Sequence, residues 1–248
     1  MPACVYVIGR FQLLHMAHVD FLHRAEDLAG APVRVILGRP TADNPKKYPH
    51  SFADVKASVE SEGFHVVPEP LYDADTDEEW FKYIIDLISE DQTRNPSNGF
   101  YYGASFKDNH MVATEHNLVH ALTMNSHPLA PLKVREDKAV LHFRGSMVIP
   151  PVPLRKLIRR YRVGVFDVES PQTTTSEVVR QNLDKPLSST LMRQLMREDA
   201  SRDALAWYVF FQRGTLERVP VAPETVYPAR VTDPTVAVSL ASLLRGVV

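Results

Sequence analysis

The chain has 248 residues, 44% of them hydrophobic, enough for one substantial globular domain or a domain with an appendage. Its formal charge is −2, from 28 basic and 30 acidic residues, so the whole protein lacks the basic balance of a nucleic-acid binder. A lone cysteine, Cys4, excludes an internal disulfide and a cysteine-based zinc site; with no long apolar span and no basic leader ahead of Val5, the expected setting is the cytoplasm, with no membrane partner.

Residues 4–8 form an apolar, mostly β-branched or aromatic run ended by Gly9, which predicts a buried parallel strand. Over 15–28 apolar residues recur at helical spacing, with Ala17, Phe21, Leu22, Ala25 and Leu28 on one face. Pro32 breaks that pattern, and 33–37 read as a second strand stopped at Gly38. Strand, helix and strand so close together predict a right-handed βαβ unit and a parallel sheet. Residues 54–60 read as a helix and 64–67 as a third strand. A stronger helix is expected over 76–89, with Trp80, Tyr83, Ile84, Leu87 and Ile88 at core spacing. A fourth strand over 100–102 is expected to turn at Gly103. Further on, 110–122 read as a helix, 139–143 as a strand, 154–161 as a basic helix and 163–168 as a fifth sheet strand. A last helix should start near Ser189 and run towards Phe211, leaving 215–248 as a packed arm or an oligomer contact. The expected class is α/β, a doubly wound parallel sheet of Rossmann-like form.

The segment Gly9-Arg10-Phe11-Gln12-Leu13-Leu14-His15-Met16-Ala17-His18 lies where the first strand hands over to the first helix. Open α/β sheets bind ligands at the carboxyl ends of their strands, and a helix start there offers N–H groups to a phosphate. His15 and His18, three positions apart, share one helix face. Their N–H groups can stabilise charge that builds up as a phosphoryl group is attacked. Arg10 adds a positive charge close by. The plain alternative, a metal pair or ordinary histidines, would win for an isolated H-x-x-H. The strand-end glycine ahead of the pair weighs against it.

Downstream, Leu187-Ser188-Ser189-Thr190-Leu191-Met192-Arg193 follows Pro186. Ser188 or Ser189 is a natural N-cap, so a simple capped helix with a solvated Arg193 accounts for the segment. The same geometry, hydroxyls and N–H groups at a helix start with an arginine one turn in, would also hold the β- and γ-phosphates of a nucleotide.

These two segments carry a resemblance. Residues 9–18 resemble the G-R-F-Q-P-x-H-x-G-H signature of the nucleotidyltransferase superfamily. The form is that of archaeal-type nicotinamide mononucleotide adenylyltransferases and of the transferase domain of bifunctional adenylyltransferase–Nudix enzymes. Residues 188–193 resemble the S-S/T-T-x-x-R motif that accompanies it. Leu13 stands where the family has proline, and Ala17 where it has the glycine between the histidines. The resemblance spans residues 4–200 at motif level, which implies a nucleotidyltransferase domain over 1–214 and a C-terminal extension over 215–248.

The activity it implies is transfer of AMP from ATP to nicotinamide mononucleotide, giving NAD and pyrophosphate, with Mg²⁺ arriving on ATP. His15, His18 and Arg193 would be catalytic, and Gly9, Arg10, Phe11, Ser188, Ser189 and Thr190 would bind ATP. For the acceptor, the acidic stretch from Asp73 to Asp77 with Trp80 behind it resembles a segment whose aromatic ring stacks on nicotinamide. A core position for Trp80 is an equal alternative. Gly103, Lys107 and Asp108 resemble the family's ribose and phosphate site, and Asn44 the Asn-Pro of the loop after the second strand, where Lys46, Lys47 or Lys56 would supply the charge. No pyrophosphohydrolase box follows. His116 and His120 read as a plain helix face, with no protein metal site expected. Arg155, Lys156, Arg159, Arg160 and Arg162 read as a solvated helix or a subunit contact, which leaves a homo-oligomer open. Two alternatives remain: the same chemistry on nicotinic acid mononucleotide or another phosphorylated cofactor precursor, and a non-catalytic nucleotide-sensing module.

Overall fold

A parallel sheet organises the computed structural model, which describes residues 2–12, 14–40, 48, 50–105, 143–160 and 177–191. In chain order the elements are β1 (Cys4–Gly9), α1 (Met16–Ala29), β2 (Val33–Arg39), α2 (Phe52–Ser61), β3 (His65–Val66), β4 (Leu71–Tyr72), α3 (Asp77–Arg94), β5 (Phe100–Ser105), β6 (Phe143–Ile149), α4 (Leu154–Arg160) and α5 (Glu177–Asn182). The strands lie in the order β3-β2-β1-β5-β6, with β4 paired to β2, and each of these pairings is parallel. The winding reverses at β1, since β2 and β3 step away on one side and β5 and β6 on the other. That reversal makes the sheet doubly wound and α/β, Rossmann-like in class, with its switch point between β1 and β5. Among the described residues no helix is long and apolar enough to cross a membrane.

The chain divides into two units, one of Met1–Arg10, Asp20–Asp43 and Gly63–Pro151, the other of Phe11–Val19, Asn44–Glu62 and Val152–Val248. The first holds the whole sheet. One face of β1 and β5 packs with α3, joining Cys4, Tyr6, Ile8, Phe100 and Tyr102 to Phe81, Ile84, Ile85 and Ile88. Tyr83, expected in that core, is 41% exposed. The buried stripe recurs from Phe81 through Ile84 and Ile85 to Ile88, one position round from it. In α1 the buried stripe runs through Val19, Leu22 and Ala25, and Leu28 is exposed instead of facing inward.

At the C-terminal turns of α3, Asp91 is fully buried and accepts from the Tyr6 hydroxyl, from Arg34 Nη1 at 2.7 Å and from Asn95 Nδ2 at 3.1 Å. Its Oδ1 also lies 3.1 Å from His65 Nε2. Gln92 extends this network, donating to the Tyr6 hydroxyl at 2.9 Å and accepting from Ser97. These bonds hold the Asp91 carboxyl below the usual carboxylate range against the opposing pull of burial. The network ties α3 to the N-terminal halves of β1 and β2. It lies away from the carboxyl edge where ligands bind, which marks it as structural.

Several sequence expectations need correction here. β5 does not turn at Gly103 but continues to Ser105, and Gly103 pairs with Val7 in register. β4 and α5 were not anticipated. A strand was expected over 139–143, but β6 runs from Phe143 to Ile149 and shares only Phe143 with it, residues 139–142 lying outside the described residues; Tyr101 stands opposite Gly145 across a register shift. α2 starts at Phe52, two residues earlier than expected, because Ser51 caps it by accepting from Asp54 N at 3.2 Å and donating to Asp54 Oδ2 at 2.6 Å.

In the second unit, α4 and the segment after α5 are joined by an antiparallel bridge between Pro153 and Pro186. Leu154 N donates to Lys185 O and Arg155 N to Leu183 O, each at 2.8 Å. Arg155 also pairs with Asp184 at 3.1 Å, so that member of the basic cluster has a carboxylate partner. The helix expected over 110–122, the strand over 163–168, His116, His120, Arg162 and the stretch 215–248 lie outside the described residues.

Candidate active site at the start of the first helix

Six residues separate the end of β1 from the start of α1. Phe11 has φ 44°, the one left-handed non-glycine among the described residues. A side chain there costs on the order of 1–2 kcal/mol and persists only where the surroundings impose it. Two features impose it. The Phe11 side chain is buried. The next residue, Gln12, is clamped to the backbone at His50, donating from Nε2 to His50 O at 3.3 Å and accepting from His50 N at 3.1 Å. Reading the sequence gave Gln12 and His50 no role. The available signal was the Ser51-x-x-Asp54 cap, which marks His50 as the residue entering α2.

His15 stands at the N-cap position of α1, where its carbonyl accepts from His18 N at 2.8 Å and from Val19 N at 3.3 Å. Its side chain caps nothing: both ring nitrogens are buried, and neither has a hydrogen-bond partner among the described residues. His18 Nδ1 is in the same condition. The two rings stack, with centroids 3.7 Å apart and planes 13° from parallel, and the Phe11 ring stands across His18 at 5.0 Å and 75°. Burial pushes His18 down to about 4. His15 falls well below the ordinary histidine range, through burial first and the neighbouring His18 second. Both are therefore neutral at pH 7, each with one N–H to donate. Buried polar atoms without partners are uncommon in folded proteins and call for an explanation. An anion at the pair supplies one, because it would accept from the N–H groups and offset their desolvation.

Ser188 Oγ accepts from Leu191 N at 3.2 Å, so Ser188 is the N-cap of the helical turn at 189–191. This fits the capped-helix reading, and it places Ser189 and Thr190 at the helix start in the unit that also holds His15 and His18. Arg193 lies outside the described residues. Ala17 is the second residue of α1 and partly exposed, and Leu13 is outside the described residues.

In the first unit, Gly9 ends β1, and Arg10 pairs with Asp73 at 3.6 Å with both side chains about half exposed. Gly103 sits within β5, where an added Cβ would lie 3.2 Å from both Val5 Cγ1 and Val7 Cγ2. A Cβ there would press on β1, and both valine side chains would have to give by a few tenths of an ångström. Trp80 is partly buried, packs against the apolar cluster under α3 and lies across Phe81 at 5.6 Å. Lys56 pairs with Glu60 at 3.8 Å. Asn44, Lys46, Lys47, Lys107 and Asp108 lie outside the described residues.

No protein-family model and no curated protein matches the chain. Similar solved structures include Plasmodium falciparum nicotinic acid mononucleotide adenylyltransferase complexed with NaAD, 13% identical, with 75% of this chain and 99% of that one covered at a TM-score of 0.34. The same enzyme complexed with APC is 12% identical, with 70% and 90% covered at a TM-score of 0.30. Likenesses at these scores transfer neither a fold nor a function, and the class rests on the parallel sheet itself.

Proposed function

We propose that the chain is a nucleotidyltransferase that moves AMP from ATP to a mononucleotide, releasing pyrophosphate. The observation that carries this reading is the His15–His18 stack at the start of α1, two neutral rings with one N–H each to donate and with three buried ring nitrogens that have no partner among the described residues. It is joined by the glycine, arginine and glutamine that lead into it and by the capped Ser188 turn.

In the proposed reaction an acceptor phosphate oxygen attacks the α-phosphorus of MgATP in line. The bond to the β-bridging oxygen breaks, and its electron pair leaves with pyrophosphate. No covalent intermediate is required, so the protein positions the reactants and stabilises charge. Neutral His15 and His18 donate N–H groups to the α-phosphoryl oxygens, and Ser189, Thr190 and Arg193 hold the β- and γ-phosphates. Mg²⁺ enters as part of the substrate, held by phosphates and water.

Nicotinamide mononucleotide is the proposed acceptor, on the likeness of the Gly9-Arg10-Phe11-Gln12 stretch to the archaeal-type signature. Nicotinic acid mononucleotide is the alternative that the same experiment separates. Wild-type protein with MgATP and each mononucleotide in turn should release pyrophosphate and form one dinucleotide, identified by mass. Turnover with nicotinic acid mononucleotide alone would move the acceptor assignment. Nucleotide binding without turnover on any acceptor would leave a sensing module in place of an enzyme.

A further inference from the structure

We infer that Phe11 is a positioning residue for His18, its ring turned inward by a left-handed backbone to set the plane of the imidazole. The inference rests on the proposed function for its catalytic consequence and on geometry for the rest. A histidine that works on a substrate is ordinarily oriented by a hydrogen bond from its second ring nitrogen to a carbonyl or carboxylate. His18 Nδ1 is buried with no such partner among the described residues. Rings orient it instead. Phe11 stands across it at 5.0 Å and 75°, and His15 stacks against it at 3.7 Å and 13°. A perpendicular arrangement is a favoured geometry for such pairs, so the Phe11 ring gives the His18 imidazole a preferred orientation where Nδ1 has no hydrogen bond to set it.

The backbone fits the same purpose. At φ 44° a glycine or asparagine would be the ordinary choice, yet the chain places a phenylalanine there and leaves it 6% exposed. Gln12, bonded twice to the backbone at His50, holds the chain directly after the strained residue. The Phe11 ring also contributes to the apolar surroundings that keep His18 neutral, the state in which it donates one N–H without drawing a counter-charge into the site.

The test uses the full chain labelled with ¹⁵N-histidine and compares wild type, Phe11→Tyr and Phe11→Leu. In the wild type, His18 ring protons should show aromatic shielding and a through-space contact to Phe11. Phe11→Leu should move those resonances and bring the His18 titration closer to the ordinary histidine range. It should also lower kcat for pyrophosphate release by about tenfold, with the KM for ATP within about twofold, as for loss of an interaction used in the transition state. Phe11→Tyr, which keeps the ring, should restore all three readings. The inference is overturned if the wild type lacks the Phe11–His18 contact, which is read without any variant. It is also overturned if Phe11→Leu leaves the His18 resonances and titration unchanged, or if it raises the KM for ATP at unchanged kcat. If no acceptor is turned over, the proposed function fails while the resonances still decide whether Phe11 positions His18.

Discussion

Acid should destabilise this protein through His18, and replacing His18 with Gln should remove a measurable part of that sensitivity. The folded ring titrates at about 4 because burial penalises its charged form, whereas in the unfolded chain it returns to about 6.5. Between these values the unfolded state binds more protons than the folded one, so stability rises with pH across the window. It is fully present above about 6.5 and is lost as the pH falls towards 4. At pH 5 the unfolded ring is largely protonated and the folded ring largely neutral. The difference corresponds to roughly 2 kcal/mol of lost stability, approaching roughly 3 kcal/mol below the folded value. Urea denaturation of wild type and His18→Gln at pH 8 and pH 5 reads the effect, because the carboxylates contribute to both proteins and burial, the larger cause of the His15 shift, persists in the variant. The wild type should lose more stability than the variant by that amount. Equal losses, or a His18 resonance titrating near 6.5 in the folded wild type, would refute the buried and neutral state assigned to the pair.

Gly103→Ala should cost about 1 kcal/mol, read as a lowered Tm, because its methyl would press on Val5 and Val7 at 3.2 Å. An unchanged Tm with a raised acceptor KM would instead return Gly103 to the acceptor site. Asp91→Ala should cost roughly 3–5 kcal/mol, since it leaves the Arg34 guanidinium and the buried Tyr6 hydroxyl without their shared acceptor; a loss below about 1 kcal/mol in denaturation would show that the network is not structural. Trp80→Ala should lower the Tm and affect the KM for both substrates alike, given its packing under α3. A rise confined to the acceptor KM would identify its ring as the base-stacking platform.

Much of the sheet was legible because parallel strands covered on both faces leave long apolar runs, as in Cys4–Gly9 and Val33–Arg39. Where the signal is short or mixed it failed. β4 has two residues, and β6 carries Arg144, Gly145 and Ser146 in a largely half-exposed strand with a register shift. Gly103 was misread because glycine usually punctuates a strand, whereas here it makes room for neighbouring valines. At the candidate site, the three-residue spacing of His15 and His18 foretold a shared face, and Ser188 was recognisable as a cap. Their stacking, the left-handed Phe11 and the Gln12 clamp on His50 were not legible. Each depends on backbone angles and on residues distant in sequence, which no local pattern records.

In the proposed reaction the His15–His18 stack acts on a phosphoryl group under attack. Pyrophosphate release by wild type and His18→Ala at saturating MgATP and mononucleotide tests it most directly. The account predicts dinucleotide formation by the wild type and a kcat lower by roughly 10²-fold in the variant, as for loss of one preorganised donor, with a smaller effect on ATP binding. Near-normal turnover in His18→Ala, or no pyrophosphate from the wild type above the protein-free blank with any acceptor, would contradict it.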